Sequence, residues 1–100
     1  FSFTPHVVDT FSGLMCTAHI FLKKDLDLDK IKNIYSKFYK DTSTKIIKHI
    51  PSTKEVVGTP NCLIGGFEKK GNKLVIVSTI DNLLKGAASQ AVENMELKIK

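Results

Sequence analysis

The sequence predicts an α+β fold, with a mixed or antiparallel sheet and helices packed on one face. Short apolar runs of strand character occur in both halves of the chain, and two segments repeat apolar residues at the three-and-four spacing of an amphipathic helix. The elements follow the order strand, strand, helix, strand, strands, helix without an internal repeat, which is typical of the α+β class. A length of 100 residues suits one domain, so residues 1–100 are expected to form a single unit.

The first strands are predicted on either side of a turn near residues 9–13. Residues 1–8, which contain Pro5, are expected to form a short strand. In residues 14–22 both alternating sets of side chains are largely apolar, which favours a strand that is covered on both faces and central in its sheet.

The first helix is predicted from residue 28 onward. Its apolar side chains form one stripe, and Asp27 is a natural N-cap residue. Acids at its start and lysines near its end suit the helix dipole. The apolar positions are Leu28, Ile31, Ile34, Tyr35, Phe38 and Tyr39.

The second half of the chain contains shorter strand signals and a hairpin. Residues 45–50 are expected to form a short strand that ends at Pro51, and residues 56–57 another extended piece. The apolar runs 62–67 and 74–80 enclose a charged, glycine-containing turn, which predicts a β-hairpin.

The last helix is predicted to begin at Asp81, which can act as its N-cap. Gly86 inside this helix costs about 1 kcal/mol relative to alanine, so it indicates a close approach of another group. That group can be a ligand, or a neighbouring helix or strand against which the small residues press. The apolar stripe consists of Leu84, Ala87, Ala88, Ala91, Val92 and Met95.

Composition excludes several functional classes. The net charge of +5 comes from lysine alone, and without the arginine fork that reads guanine edges no nucleic-acid partner is expected. No apolar run approaches the roughly 20 residues that span a bilayer, so no membrane partner is expected. Cys16 and Cys62 are interpreted as buried free thiols, which favours a reducing, cytoplasmic location. The start at Phe1, without a signal peptide, suggests a piece of a longer protein.

Residues 80–95 closely resemble the carboxyl-terminal motif of N-acetyl-gamma-glutamyl-phosphate reductases, enzymes of arginine biosynthesis. The sequence there is Ile-Asp-Asn-Leu-Leu-Lys-Gly-Ala-Ala-Ser-Gln-Ala-Val-Glu-Asn-Met. Residues 3–7, 12–13 and 57–65 resemble the same family in the same order. The resemblance implies the carboxyl-terminal substrate and dimerisation domain of such an enzyme.

The resemblance also implies a chemistry. In these NADP-dependent enzymes a cysteine thiolate attacks a small-molecule acyl phosphate, phosphate leaves, and NADPH delivers hydride to release a semialdehyde. The nucleophilic cysteine and the base histidine of the family lie upstream of the matching region. No catalytic residue is therefore expected in this chain, which should be inactive alone, and Cys16 and Cys62 should be inert.

The resemblance places Asn82, Lys85 and Gly86 near the nicotinamide end of the cofactor. Asn82 would hydrogen-bond the carboxamide, the helix N-terminus would offer free N–H groups to an anion, and Lys85 would bring a mobile positive charge. A solvated surface lysine is the alternative for Lys85. His6 follows Pro5 in a loop that could face a substrate, and no metal site is predicted.

The expected partners are an NADP-binding domain outside this chain, on which the helix of residues 81–97 would dock, and a second copy in a homo-oligomer. Ser12 stands where many members of the family have arginine, so a contact to phosphate or carboxylate would be missing and the acyl group stays open.

Three alternatives remain. Aspartate-semialdehyde dehydrogenase shares the Asn-Leu-x-Lys-Gly-Ala-Ala turn but lacks the Gln-Ala-Val-x-Asn-Met continuation. An aminoadipate-type reductase of lysine biosynthesis would look nearly the same in this region. A non-catalytic oligomerisation or binding module could use its lysines on an acidic partner.

Overall fold

A computed structural model of the protein describes residues 1–99. It contains four strands, two α-helices, one 3₁₀ turn at Thr53–Glu55 and one π-helical turn at Leu84–Ala88. The strands are β1 (Leu14–Phe21), β2 (Thr44–Ile46), β3 (Cys62–Lys70) and β4 (Lys73–Ile80), and the helices are α1 (Leu28–Phe38) and α2 (Ser89–Ile99).

The four strands form one mixed sheet in the order β1-β4-β3-β2. β4 pairs antiparallel with both β1 and β3, whereas β2 and β3 are parallel. Residues of both helices and of one sheet face line the same open pocket of about 450 Å³, so both helices lie on the same face. The predicted fold class is confirmed.

The β3–β4 hairpin is confirmed and forms the centre of the sheet. Gly71 has a φ of 62°, which the tight turn between the strands requires. A bulge follows Gly65, where Gly66 has a φ of 62° and donates its N–H to the carbonyl of His49. The core beside this hairpin consists of Val56, Ile64, Leu74 and Val77.

Helix α1 confirms the first predicted helix. Asp27 precedes it, and the Asp27 carboxylate accepts the N–H of Asp29 at 3.3 Å. Ile31 is buried, and the Tyr35 ring packs edge-on against Phe67 of β3 with 5.3 Å between centroids. Among residues 1–99, no helix has the length and apolar character needed to cross a membrane.

Two predicted strands are wrong. Residues 1–8 are irregular and pair with no strand in the described chain. The prediction failed because the apolar pattern indicates a strand but does not show whether a neighbouring strand is available for pairing. Residues 56–57 are a turn after the 3₁₀ turn Thr53–Glu55, which a Ser52–Glu55 capping box stabilises. The strand expected at 45–50 is shorter, at Thr44–Ile46.

The prediction that residues 14–22 are central in the sheet is also wrong. β1 is an edge strand that pairs only with β4 among the described residues, and most of its side chains are exposed. Cys16 is therefore exposed rather than buried, while Cys62 is half-buried; both are free thiols. The two apolar faces of β1 form a surface that residues 1–99 do not cover.

Candidate functional site

Three segments that are distant in sequence meet at the end of β4, at the carboxylate of Asp81. One carboxylate oxygen accepts the Ser12 hydroxyl at 3.2 Å and the N–H groups of Leu83 and Leu84 at 2.8 and 3.2 Å. The other accepts the Gly58 N–H at 2.9 Å. Asp81 is only 4% exposed, so these bonds replace most of its hydration.

These donors determine the ionisation of Asp81. The N–H groups of Gly58 and Leu83, followed by smaller contributions from Leu84 and Ser12, hold the pKa of the Asp81 carboxyl below its usual value and outweigh the opposite effect of burial. Asp81 is thus a buried anion stabilised by hydrogen bonds. Because Leu83 and Leu84 already donate to it, the expectation that the helix N-terminus offers those N–H groups to an external anion is wrong.

Asn82 lies next to this buried carboxylate but is exposed. Its side-chain oxygen accepts the Gly13 N–H at 2.9 Å and faces the Ser12 hydroxyl at 3.1 Å. A backbone N–H can only donate, so Gly13 fixes which end of the amide faces inward. The Asn82 NH₂ group is then the end that remains for an outside acceptor.

Lys85 lies in a closed polar cluster and is neither mobile nor a solvated surface lysine. Its side chain is only 12% exposed, and its ammonium donates at 2.8 Å to both the Ser43 hydroxyl and the Glu93 carboxylate. Ser43 in turn donates to the other Glu93 oxygen at 2.7 Å. Hydrogen bonds from Lys85 and then Ser43 lower the pKa of Glu93. The cluster ties α2 to the residue before β2.

Gly86 lies in the π-helical turn and is exposed. Its N–H donates to the Asp81 carbonyl five residues earlier, at 3.1 Å, and such turns are frequent at functional sites. A Cβ added at Gly86 would come nearest to the flexible end of the Ile80 side chain, at 3.2 Å. The contacts of the described chain therefore give only a weak reason for glycine, which favours the close approach of an outside group.

The remaining candidates lie apart from this junction. His6 is exposed in the irregular segment 1–13, and none of the hydrogen bonds found in residues 1–99 involves its ring. Burial raises the pKa of the Cys62 thiol, against a weaker opposite effect of the Lys85 charge, which agrees with the expected inertness of this cysteine. Across residues 1–99, no group of three His, Cys, Asp or Glu side chains has the arrangement of a metal site.

Sequence reasoning missed the convergence on Asp81 and the cluster around Lys85. Asp81 was predicted only as a local helix cap, and Ser43 and Glu93 were not singled out. One signal was present: Ser12-Gly13, Val57-Gly58 and residues 80–95 carried the resemblance, and all three segments contribute to the Asp81 and Asn82 contacts. Motifs that are distant in sequence but belong to one family are candidates for contact in space.

Comparisons with known proteins agree on one family. Residues 1–82 match the model of the semialdehyde dehydrogenase dimerisation domain. N-acetyl-gamma-glutamyl-phosphate reductases from Methanosarcina mazei and Methanocaldococcus jannaschii are 44% and 46% identical over 99 residues, which cover 96% of this chain and 29% of each relative. The chain thus spans less than a third of their length.

A solved structure shows the same fold. Aspartate semialdehyde dehydrogenase II from Vibrio cholerae superposes with a TM-score of 0.75 at 20% identity, over 89% of this chain and 28% of that one. The four-stranded mixed sheet and its helices are therefore an architecture that this enzyme also contains. The chain belongs to the family of semialdehyde dehydrogenase dimerisation domains.

Proposed function

We propose that this chain is the substrate and dimerisation domain of an NADP-dependent, cytoplasmic reductase that converts N-acetyl-glutamyl phosphate to N-acetyl-glutamate semialdehyde in arginine biosynthesis. The observation that carries the proposal is its 43–46% identity to reductases of that name, which runs through the β4–α2 junction. The likeness to aspartate semialdehyde dehydrogenase is much weaker, at 20% identity, and supports the fold alone.

The β4–α2 junction has properties that fit the nicotinamide end of NADP. The side-chain oxygen of Asn82 already accepts the Gly13 N–H, which within residues 1–99 leaves the NH₂ group of Asn82 as a free donor. The carboxamide of nicotinamide offers a carbonyl oxygen that could accept from this donor. Gly86 is exposed and leaves room for a flat ring to approach the backbone. When bound, NADPH supplies the hydride. The residues of this chain would orient it, while the nucleophilic cysteine and the base come from the rest of the enzyme.

For Lys85 we propose a structural role rather than a direct contact with the cofactor. Its ammonium is held by Ser43 and Glu93, so we propose that it supports the turn that carries Gly86. The proposed substrate contact of His6 has no comparable support, because the described chain leaves this side chain exposed in an irregular segment.

Two partners complete the proposal. The exposed apolar side chains of α2 would dock on an NADP-binding domain, since Val92, Met95 and Leu97 are 50%, 57% and 72% exposed. The exposed faces of β1, with Leu14 and Met15 about half exposed, would contact a second copy, as the description of the matched family suggests.

The test is the substitution Gly86→Ala in the full-length reductase, with Ala87→Gly as the matched control. An alanine in this helical turn should leave stability unchanged or raise it by up to about 1 kcal/mol. If the cofactor lies against Gly86, the same methyl should raise the KM for NADPH by about tenfold or more. Ala87→Gly should lower stability slightly and leave this KM unchanged. Equal KM values in both variants, or no NADPH-dependent activity in the unsubstituted enzyme, would overturn the proposal.

A further inference from the structure

Asp27 and Asp81 both accept backbone N–H groups just before a helical segment, but they differ in what they connect. Asp27 accepts one N–H, from Asp29 two residues later, and remains outside the core. Asp81 is 4% exposed and accepts donors from three separate segments. We propose that Asp81 is a positioning residue that holds the cofactor-side amide of Asn82 in its binding orientation. This inference rests on the proposed function.

Asp81 acts on Asn82 through the loop before β1. The Ser12 hydroxyl lies between the two side chains, 3.2 Å from the Asp81 carboxylate and 3.1 Å from the Asn82 oxygen. The next residue, Gly13, donates its N–H to that same Asn82 oxygen. The carboxylate fixes the loop, and the loop fixes the amide, with its NH₂ group directed away from Gly13.

Asp81 acts on the opposite side through Gly58. Within residues 1–99, Oδ2 of the carboxylate accepts one hydrogen bond, from the Gly58 N–H at 2.9 Å, whereas Oδ1 accepts three. Gly58 has a φ of 79°, a left-handed conformation that glycine adopts readily and other residues rarely. The turn at residues 56–58 is therefore attached to the junction by one charged hydrogen bond.

The polar groups that face the Asp81 carboxylate are all N–H or O–H donors. They are all satisfied only if both terminal atoms of the side chain can accept hydrogen bonds. Asparagine has the same shape but only one acceptor oxygen. In Asp81→Asn the oxygen best replaces Oδ1, which keeps three donors, and the NH₂ group then faces the Gly58 N–H as a second donor. The substitution should first release the turn at residues 56–58, because the hydrogen bond from Gly58 is lost. It should also loosen the loop that contains Ser12, because the negative charge is removed.

The experiment compares Asp81→Asn with Asp27→Asn in the full-length enzyme. Hydrogen exchange measured by mass spectrometry should become about tenfold faster in the peptide that contains Gly58, as expected for loss of one charge-assisted hydrogen bond. The KM and Kd for NADPH should rise by a similar factor, while the KM for the acyl phosphate stays within about twofold. Asp27→Asn should change none of these quantities. A milder variant, Ser12→Ala, should weaken NADPH binding about threefold and remains informative if Asp81→Asn does not fold.

The outcomes separate this inference from the proposed function. Unchanged exchange at Gly58 would overturn the connection through Asp81. Faster exchange with an unchanged Kd for NADPH would overturn the positioning role, even if the enzyme is a reductase. A rise of all kinetic constants together would indicate a general loss of structure and would also count against it. Absence of acyl-phosphate reduction by the unsubstituted enzyme would refute the proposed function. The ratio between the NADPH Kd of Asp81→Asn and that of the unsubstituted enzyme would still decide the role of Asp81.

Discussion

Helix α1 is attached to the sheet by apolar packing, whereas α2 is attached by polar contacts near its first turns. In α1, Ile31 is 5% exposed and Tyr35 packs on Phe67. In α2 no residue is buried, and hydrogen bonds among Lys85, Glu93 and Ser43 tie it to the body of the domain. The two helices lie on one face of the sheet but are stabilised by different interactions.

Within residues 1–99, α1 buries part of its apolar face, whereas α2 buries none of its residues. An amphipathic helix derives most of its stability from burial of its apolar face, and α2 leaves that face in solvent. Its polar cluster attaches the helix to the residue before β2 without covering the apolar stripe.

The largest expected effect concerns the apolar packing of α1 on the sheet. Ile31→Ala should lower the free energy of unfolding of this chain by about 2–4 kcal/mol, because a buried side chain is lost and a cavity remains. Ile34→Ala in the same helix is the matched control, since Ile34 is 53% exposed, and should cost less than about 1 kcal/mol. Urea denaturation monitored by circular dichroism measures both. Equal losses would mean that α1 is not seated on the sheet through Ile31.

Local signals predicted α1 and the β3–β4 hairpin well, because a cap at Asp27 and a turn at Gly71 act within a few residues. The same reasoning made β1 a central strand. Apolar residues on both faces indicate that a strand will be covered, but they do not identify what covers it, and residues 1–99 do not supply that cover. The missing information is non-local.

The candidate site shows the same limit. Its location followed from the resemblance of residues 80–95. The prediction that the last helix begins at Asp81 as its N-cap was wrong, because the helical turn begins at Leu84 with Leu83 at the N-cap position; Asp81 instead accepts the N–H groups of Leu83 and Leu84 from outside the helix. The bonds to Ser12 and Gly58 depend on the sheet order, which brings both segments to the end of β4. The mobile charge expected at Lys85 was wrong for a similar reason, because its partner Glu93 lies two turns further along the chain, and Ser43 lies immediately before β2.

An intermediate effect is expected from loss of the polar attachment of α2. Lys85→Met keeps the aliphatic stem but removes both hydrogen bonds of the ammonium, so the amides of α2 should exchange about fivefold faster, corresponding to about 1 kcal/mol. Lys98→Met is the control, because Lys98 is exposed in the last turn of the same helix. Exchange in α1 should be unchanged in both variants. If Lys98→Met loosened α2 as much as Lys85→Met, the cluster would not be its anchor.

The smallest effect concerns the pH dependence of that attachment. The pKa of Glu93 is lowered by Lys85 and Ser43, so the folded state favours the ionised carboxylate. Its contribution is complete above the ordinary glutamate value of 4.5 and is lost as the pH falls from there through the lowered pKa. Exchange in α2 should therefore accelerate below about pH 4.5, relative to the intrinsic rate of the amides.

Asp25, Glu55 and Asp81 also have lowered pKa values, so acid will destabilise the whole domain. The contribution of Glu93 to the exchange rate must therefore be obtained as a difference between two variants. Glu93→Gln supplies that difference: it should expose α2 to exchange already at neutral pH and make the gap to the unsubstituted chain shrink as the pH falls. A gap that is constant from pH 7 to pH 3 would show that the charge of Glu93 does not hold the helix, and that the contrast between α1 and α2 lies in packing alone.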